Sequence, residues 1–360
     1  MKNHLLSLVR AMSAQSKVFV ACHPDMAAEC EAAGARVLPV PLRGELTPRE
    51  DMNCIRYLAA VIRQLNIPLV HVHGAKAGLV GRIAARLSGV RGVIYTVHNS
   101  IFYEDWVAWK RWLLTRAEVQ LRFLTTRIIT VSEYLRRELI EREGIEKHRV
   151  VTVHNGIDIT PFHGDRAVGM AVRRELGIPE DAPVVGTVAR LAPQKGVTYL
   201  IKALARLRNY LPSVRGVVVG DGPLREDLER EASEYAVPVT FTGYYADIPA
   251  SLASFDVVAI PSVTEGLSLS VLEAMASARP VVAAAVGGLP EVILEGRTGL
   301  LVPPRDPEAL STALYRLLTR PAEAGRMGTA GRERVRQSFT LEKMVNRTRE
   351  IYHQALGNLR

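Results

Sequence analysis

Cysteine is scarce in this 360-residue chain: Cys22, Cys30 and Cys54 form an odd set crowded toward one end. That argues against a disulfide framework and fits a reducing, cytoplasmic setting. No apolar run reaches the roughly 18 residues that a membrane-spanning helix needs. The opening Met1 to Arg10 carries too short an apolar stretch for a secretory leader. Zinc-finger spacing, basic heptads and an aromatic RNA-binding signature are all missing, so nucleic acid is not an expected partner. No two aspartates are separated by a single residue, which removes the Asp-x-Asp arrangement that could hold a divalent ion on a diphosphate, and no metal ligand set is assigned. Neither a 20- to 50-residue repeat nor a low-complexity tract is present.

What is present is ample apolar material, 48% of residues, in a chain long enough for two domains. The net charge of +9 is uneven: residues 1–160 hold 22 Lys/Arg against 15 Asp/Glu, and the remainder 24 against 22. A basic first half makes an anionic membrane surface or a phosphorylated acceptor a candidate partner, against the plainer reading of dispersed surface arginine. Tyr103 to Arg116 adds three tryptophans among cations on an expected helix. Such a mixture suits a bilayer boundary, but packing of one aromatic face against a sheet is the preferred reading.

Apolar, β-branched runs alternate with helical patterns along the chain. They fall at 17–22, 69–72, 93–97, 128–131 and 150–153, and again at 184–188, 216–219, 239–241, 257–260 and 281–283. Continuous apolar strands separated by helices predict parallel sheets covered on both faces, hence an α/β chain with two doubly wound, Rossmann-like domains. The turn-rich stretch Asn155 to Phe162 reads as the hinge. The expected division is residues 1–160 for an acceptor-side domain and 161–340 for a donor domain, with a helix over about 341–360 packing back on the first. In such sheets ligands bind at the carboxyl ends of strands, so a cleft between the domains is the expected site. The chain opens directly in a helical pattern, Leu5 to Met12, where a doubly wound half normally opens with a strand and a glycine turn. The expectation is therefore a truncated first half.

Residues that carry chemistry cluster in the second half. Arg190 and Lys195 follow the 184–188 strand, supplying a guanidinium fork and a point charge for phosphate. Glu265 stands at a strand end, followed by the turn Gly266-Leu267-Ser268-Leu269 and a helix carrying Glu273. Carboxylates accept hydroxyls and a helix start attracts phosphate, a combination suited to a sugar joined to a nucleotide diphosphate. Paired glutamates also suit glycoside hydrolysis. His71-Val72-His73 could offer two imidazoles to a metal but has no carboxylate partner at a suitable spacing, so polar packing is preferred. Gly220-x-Gly222 is half of a dinucleotide fingerprint, with Arg225 where a third glycine would stand.

Arg190-x4-Lys195-Gly196, Gly220-Asp221-Gly222-Pro223-Leu224-Arg225, Pro261-Ser262-x2-Glu265-Gly266-x6-Glu273-Ala274 and Gly287-Gly288-x-Pro290-Glu291 stand in an order that resembles the family 4 retaining glycosyltransferases of the GT-B fold. Thr96-Val97-His98, Val131-Ser132-Glu133 and His154 to Asp158 extend the resemblance over the first half. It implies a nucleotide-sugar donor, used as substrate with no cofactor. Arg190 and Lys195 would bind its diphosphate, Glu265 the sugar hydroxyls and Glu273 the ribose diol. Backbone N–H groups at Gly266, Leu267, Ser268 and Leu269 would complete the cradle, Gly222 would shape the wall near the base, and His98 would approach the reacting carbon. A lipid-linked or cell-envelope glycan acceptor, metal-independent turnover and retention of configuration are the further expectations. The rivals are a GT-B epimerase or phosphorylase and a non-catalytic nucleotide-sugar-binding protein. Oligomeric state is not readable.

Overall fold

A computed structural model describes residues 2–42, 47–100 and 108–357. The chain divides into two compact units, Met1–Gly156 with Leu341–Arg360, and Ile157–Thr340. Unit one carries β1 (Phe19–Cys22), β2 (Arg36–Pro39), β3 (Leu69–His73), β4 (Gly92–Val97), β5 (Arg127–Thr130) and β6 (Val150–Thr152). Unit two carries β7 (Val184–Val188), β8 (Arg215–Val219), β9 (Val239–Gly243), β10 (Val257–Ile260), β11 (Val281–Ala284) and β12 (Leu300–Val302). Every named strand pair is parallel, and helices separate most of the strands, as continuous apolar runs require. β2 and β12 escape a reading of apolar runs. The first is Arg36-Val37-Leu38-Pro39, with only two apolar residues between an arginine and a proline, and the second spans 3 residues.

Unit two forms one six-stranded sheet in the order β12-β11-β10-β7-β8-β9. The order reverses direction between β7 and β10, which pair through Val185 with Val257 and Gly186 with Val258. That junction is where a doubly wound sheet opens a crevice at its carboxyl edge. Val185, Val257, Ala259 and Val282 of the sheet join Leu200, Leu204, Leu314 and Leu317 of covering helices in one buried cluster.

The sheet of unit one comes in two pieces among the described residues, β1-β2 and β3-β4-β5-β6. Helix Lys2–Ser13 serves both: its Leu8 packs with Ile94 and Ile129 of the larger piece, and its Val9 with Val20 and Cys22 of the smaller. Helix Leu341–Gly357 buries Met344, Val345, Thr348, Ile351 and Ala355, spaced as one face of a helix. Four of these join the cluster of Ile94, Ile129 and Val153, so this terminal helix belongs to the core of unit one.

Candidate functional site

Two strand-end regions gather polar chemistry, one in each unit. In unit two the carboxyl ends of β7 and β10 meet in a small pocket lined by Thr187, Val188, Ala189, Lys195, Ile260, Pro261, Ser262, Glu265 and Ser268. The loops that follow these strands are stitched by the N–H of Val263, which donates to the Gln194 carbonyl over 2.9 Å. Across this seam Lys195 Nζ lies 2.5 Å from Glu265 Oε1, and the Ser262 hydroxyl donates to the same oxygen over 2.9 Å. Glu265 is buried. A buried carboxylate needs such partners, and the pair holds both side chains at the pocket.

The turn after Glu265 is clamped from behind. Gly288 N–H donates to the Gly266 carbonyl over 3.0 Å. Gly287 stands at φ 53°, and a β-carbon there would fall 1.6 Å from the Glu265 carbonyl oxygen. The Gly287-Gly288 pair therefore acts through backbone approach, by fixing where Glu265 and Gly266 sit. Helix Leu269–Ala276 starts at Ser268, whose side chain makes no capping hydrogen bond. Its first-turn N–H groups are thereby left to water or to an anion. Gly222 plays a similar part beside β7: a β-carbon on it would lie 2.4 Å from the Leu191 carbonyl oxygen, while Leu191 N–H donates to the Asp221 carbonyl over 2.9 Å. It thus braces the loop bearing Arg190.

Not all of the expected residues join the contact. Arg190 is exposed and does not line the pocket. Glu273 stands in the helix after the turn, half-buried, with no ion pair to another described residue, and burial alone pushes its pKa up to about 7. A wider groove along β12, lined by Leu301, Asp306, Thr312 and Arg316 among others, shares no residue with the pocket. Its arginine is already tied to Glu323.

In unit one the carboxyl ends of β3 and β4 gather imidazoles. His73 Nδ1 and His98 Nε2 lie 3.1 Å apart. His4, buried on helix Lys2–Ser13, approaches His98 edge-on with ring centroids 4.8 Å apart. His71, one strand step behind, is held by the Tyr352 hydroxyl at 2.5 Å and the Thr96 hydroxyl at 2.7 Å. Burial lowers the His4 pKa to about 4 and that of His71 to about 3, the latter with help from His4. Burial and neighbouring imidazoles hold His73 and His98 well below the ordinary value. The sequence offered His71 and His73 as a pair and His98 on its own; chain separation hid that His4 and His98 meet His73. Val131-Ser132-Glu133 has a structural role, since the Ser132 hydroxyl caps helix Glu133–Glu141 by accepting from Leu135 N–H.

Of the tryptophan-rich stretch, Tyr103 to Val107 lie outside the described residues. Trp112, on helix Ala108–Leu121, is 61% exposed, with the Arg116 guanidinium 5.4 Å from its ring centroid, so for this residue packing against a sheet is corrected. No described helix is long and apolar enough to cross a membrane.

Parallel sheets in both units, with a charged pocket at the switch point of the doubly wound sheet of unit two, define an α/β protein of the nucleotide-ligand class. Known proteins narrow this. Residues 1–160 match the model for Glycosyltransferase Family 4, and residues 182–320 that for Glycosyl transferases group 1. The chain belongs to these glycosyltransferases, of the GT-B fold with two Rossmann-like domains. It is 36% identical over 270 residues to the GDP-mannose-dependent alpha-(1-6)-phosphatidylinositol monomannoside mannosyltransferase of Mycolicibacterium smegmatis, covering 72% of this chain and 69% of that protein. It is 27% identical over 314 residues to the UDP-Gal:alpha-D-GlcNAc-diphosphoundecaprenol alpha-1,3-galactosyltransferase of Escherichia coli, covering 86% and 81%. Among solved structures, Anabaena Alr3699/HepE in complex with UDP-glucose shares the fold at a TM-score of 0.86 and 22% identity, covering 97% of this chain and 94% of that one.

Proposed function

We propose that this glycosyltransferase moves a hexose-type sugar from a nucleotide diphosphate sugar to a lipid-linked or cell-envelope glycan acceptor, with retention of configuration and without a metal on the diphosphate. The observation that carries the reading is the Lys195–Glu265 contact at the junction of β7 and β10. Breaking the anomeric C–O bond leaves negative charge on the departing diphosphate, so a fixed ammonium stabilises the transition state more than the ground state. Without donor, Glu265 holds that ammonium in place. With donor, Lys195 turns to phosphate and Glu265 to the sugar hydroxyls it can accept.

Arg190, exposed on the same loop, adds a second cation, and the helix start at Ser268 and Leu269 adds backbone donors. Glu273, with no ion pair to another described residue, is suited to accept the ribose hydroxyls. His98, as the neutral imidazole of the metal-free protein, is assigned the first-unit role near the reacting carbon. The acceptor class rests on the two relatives, whose names carry a diphosphoundecaprenol and a phosphatidylinositol mannoside, on the basic first half and on exposed Trp112. A membrane-surface location follows from the same residues.

The test is transfer from UDP- and GDP-hexoses to polyprenyl-diphosphate and phosphoinositide sugars, with the product anomer read by NMR. Activity is expected to persist in EDTA. Activity lost in EDTA and restored by magnesium or manganese would overturn the metal-free reading, and an inverted product would overturn retention.

A further inference from the structure

We propose that His4, His73 and His98 form a binding site for a divalent transition-metal ion of the zinc class. The three come from helix Lys2–Ser13, the last residue of β3 and the residue following β4, all within unit one. One ligand atom from each lies within 4.8 Å of the others. Two nitrogens bound to one tetrahedral zinc ion stand about 3.4 Å apart, given bonds of about 2.1 Å. His73 Nδ1 and His98 Nε2 hydrogen-bond at 3.1 Å, near that spacing, so closing the site asks that the donor ring shift its proton to its other nitrogen and that the His4 ring move in.

A second observation points the same way. His4 Nδ1 is buried with no hydrogen-bond partner among the described residues, while the Asn155 side chain engages the same imidazole and works against the effect of burial on its pKa. An imidazole placed among other imidazoles with an orphan nitrogen is costly as packing and useful as a ligand. His71 backs the cluster: its ring lies tilted against His73 with centroids 4.1 Å apart, and its two nitrogens are committed to Tyr352 and Thr96. It therefore shapes the site without joining it. All three ligands are nitrogen, which selects zinc, cobalt, nickel or copper over magnesium and calcium, whose preference is for oxygen. Three protein ligands leave a fourth position open.

The experiment is titration of untagged full-length protein with Co2+ alone, reading the visible bands that mark four-coordinate cobalt, followed by displacement with Zn2+ and by calorimetry with Zn2+. The expected result is one Co2+ per chain, displaced by one equivalent of Zn2+. His4→Ala and His73→Ala should each weaken Zn2+ binding by on the order of 100-fold, the scale at which even supporting residues matter. His353→Ala, on an exposed helix position, should leave it unchanged. Circular dichroism without metal separates lost binding from lost fold, and His4→Gln replaces any His4→Ala protein that does not fold. Absence of the cobalt bands in the wild-type protein, or Zn2+ binding unaltered in folded His73→Ala, would overturn the site. Neither readout uses donor or acceptor, so failure here leaves the transfer reading standing.

Discussion

Both regions lie at the carboxyl ends of parallel strands, one at the reversal of a six-stranded sheet and one within a four-stranded run in consecutive order, and their electrostatics are opposite. At β7 and β10 a lysine and a glutamate meet as an ion pair, with a second glutamate and an exposed arginine nearby in sequence. At β3 and β4 four imidazoles crowd together with pKa values pressed down by burial. In both cases parallel strands deliver their side chains to one edge, and the side chains decide its use. Fixed charge suits a ligand that gains charge as it reacts. Neutral nitrogen suits a metal ion or close approach to an uncharged sugar.

The largest expected effect lies in the charged region. Lys195→Ala should lower turnover by on the order of 10²-fold or more, the scale of losing one oxyanion donor. Steady-state kinetics with saturating donor would measure it, and a near-wild-type kcat would remove Lys195 from the chemistry. Gly287→Ala should cost about 2 kcal/mol or more of stability, because both its positive φ and the Glu265 carbonyl oppose a β-carbon. Urea unfolding would show it, and an unchanged midpoint would mean the clamp is slack.

Acid titration sets the two regions against each other. Glu273 is raised from 4.5 to about 7, so between those values the folded protein keeps a proton that the unfolded chain has lost, and stability falls as pH rises through that window. His4 is lowered from 6.5 to about 4, so the unfolded chain binds the extra proton and stability rises with pH from about 4 to 6.5. Glu273→Gln should remove the first slope and His4→Gln the second, each by up to about 1.4 kcal/mol per pH unit. Donor affinity should also weaken as pH drops below about 7, by at most about tenfold per unit, as Glu273 takes a proton and becomes a weaker, uncharged acceptor of hydroxyls. Calorimetry with UDP from pH 8 to 5.5 would check this, and a flat profile would remove the ribose role of Glu273.

Legibility in the sequence followed the same divide. Ten of the strands announce themselves as apolar runs, several of them buried on both faces of a sheet, while β2 is broken by an arginine and a proline and β12 is an apolar run of only 3 residues. Lys195 and Glu265 are 70 residues apart, and each sits on a loop directly after a long apolar strand, which makes both visible. Arg190 shows the limit of that logic: a cation on the right loop points outward. The glycine pair Gly287-Gly288 can be seen in the sequence, but that it braces Glu265 cannot, since backbone approach leaves no compositional trace. The imidazole cluster draws on positions 4, 71, 73 and 98, and only the pair within one strand is visible from spacing.

The central claim is that Lys195 answers the charge of a diphosphate at the β7–β10 junction. Calorimetric affinities for UDP against UMP, and GDP against GMP, should show the wild-type protein favouring one diphosphate over its monophosphate. In Lys195→Ala most of that preference should vanish while monophosphate affinity holds. A diphosphate preference of the same size in both proteins would contradict the claim.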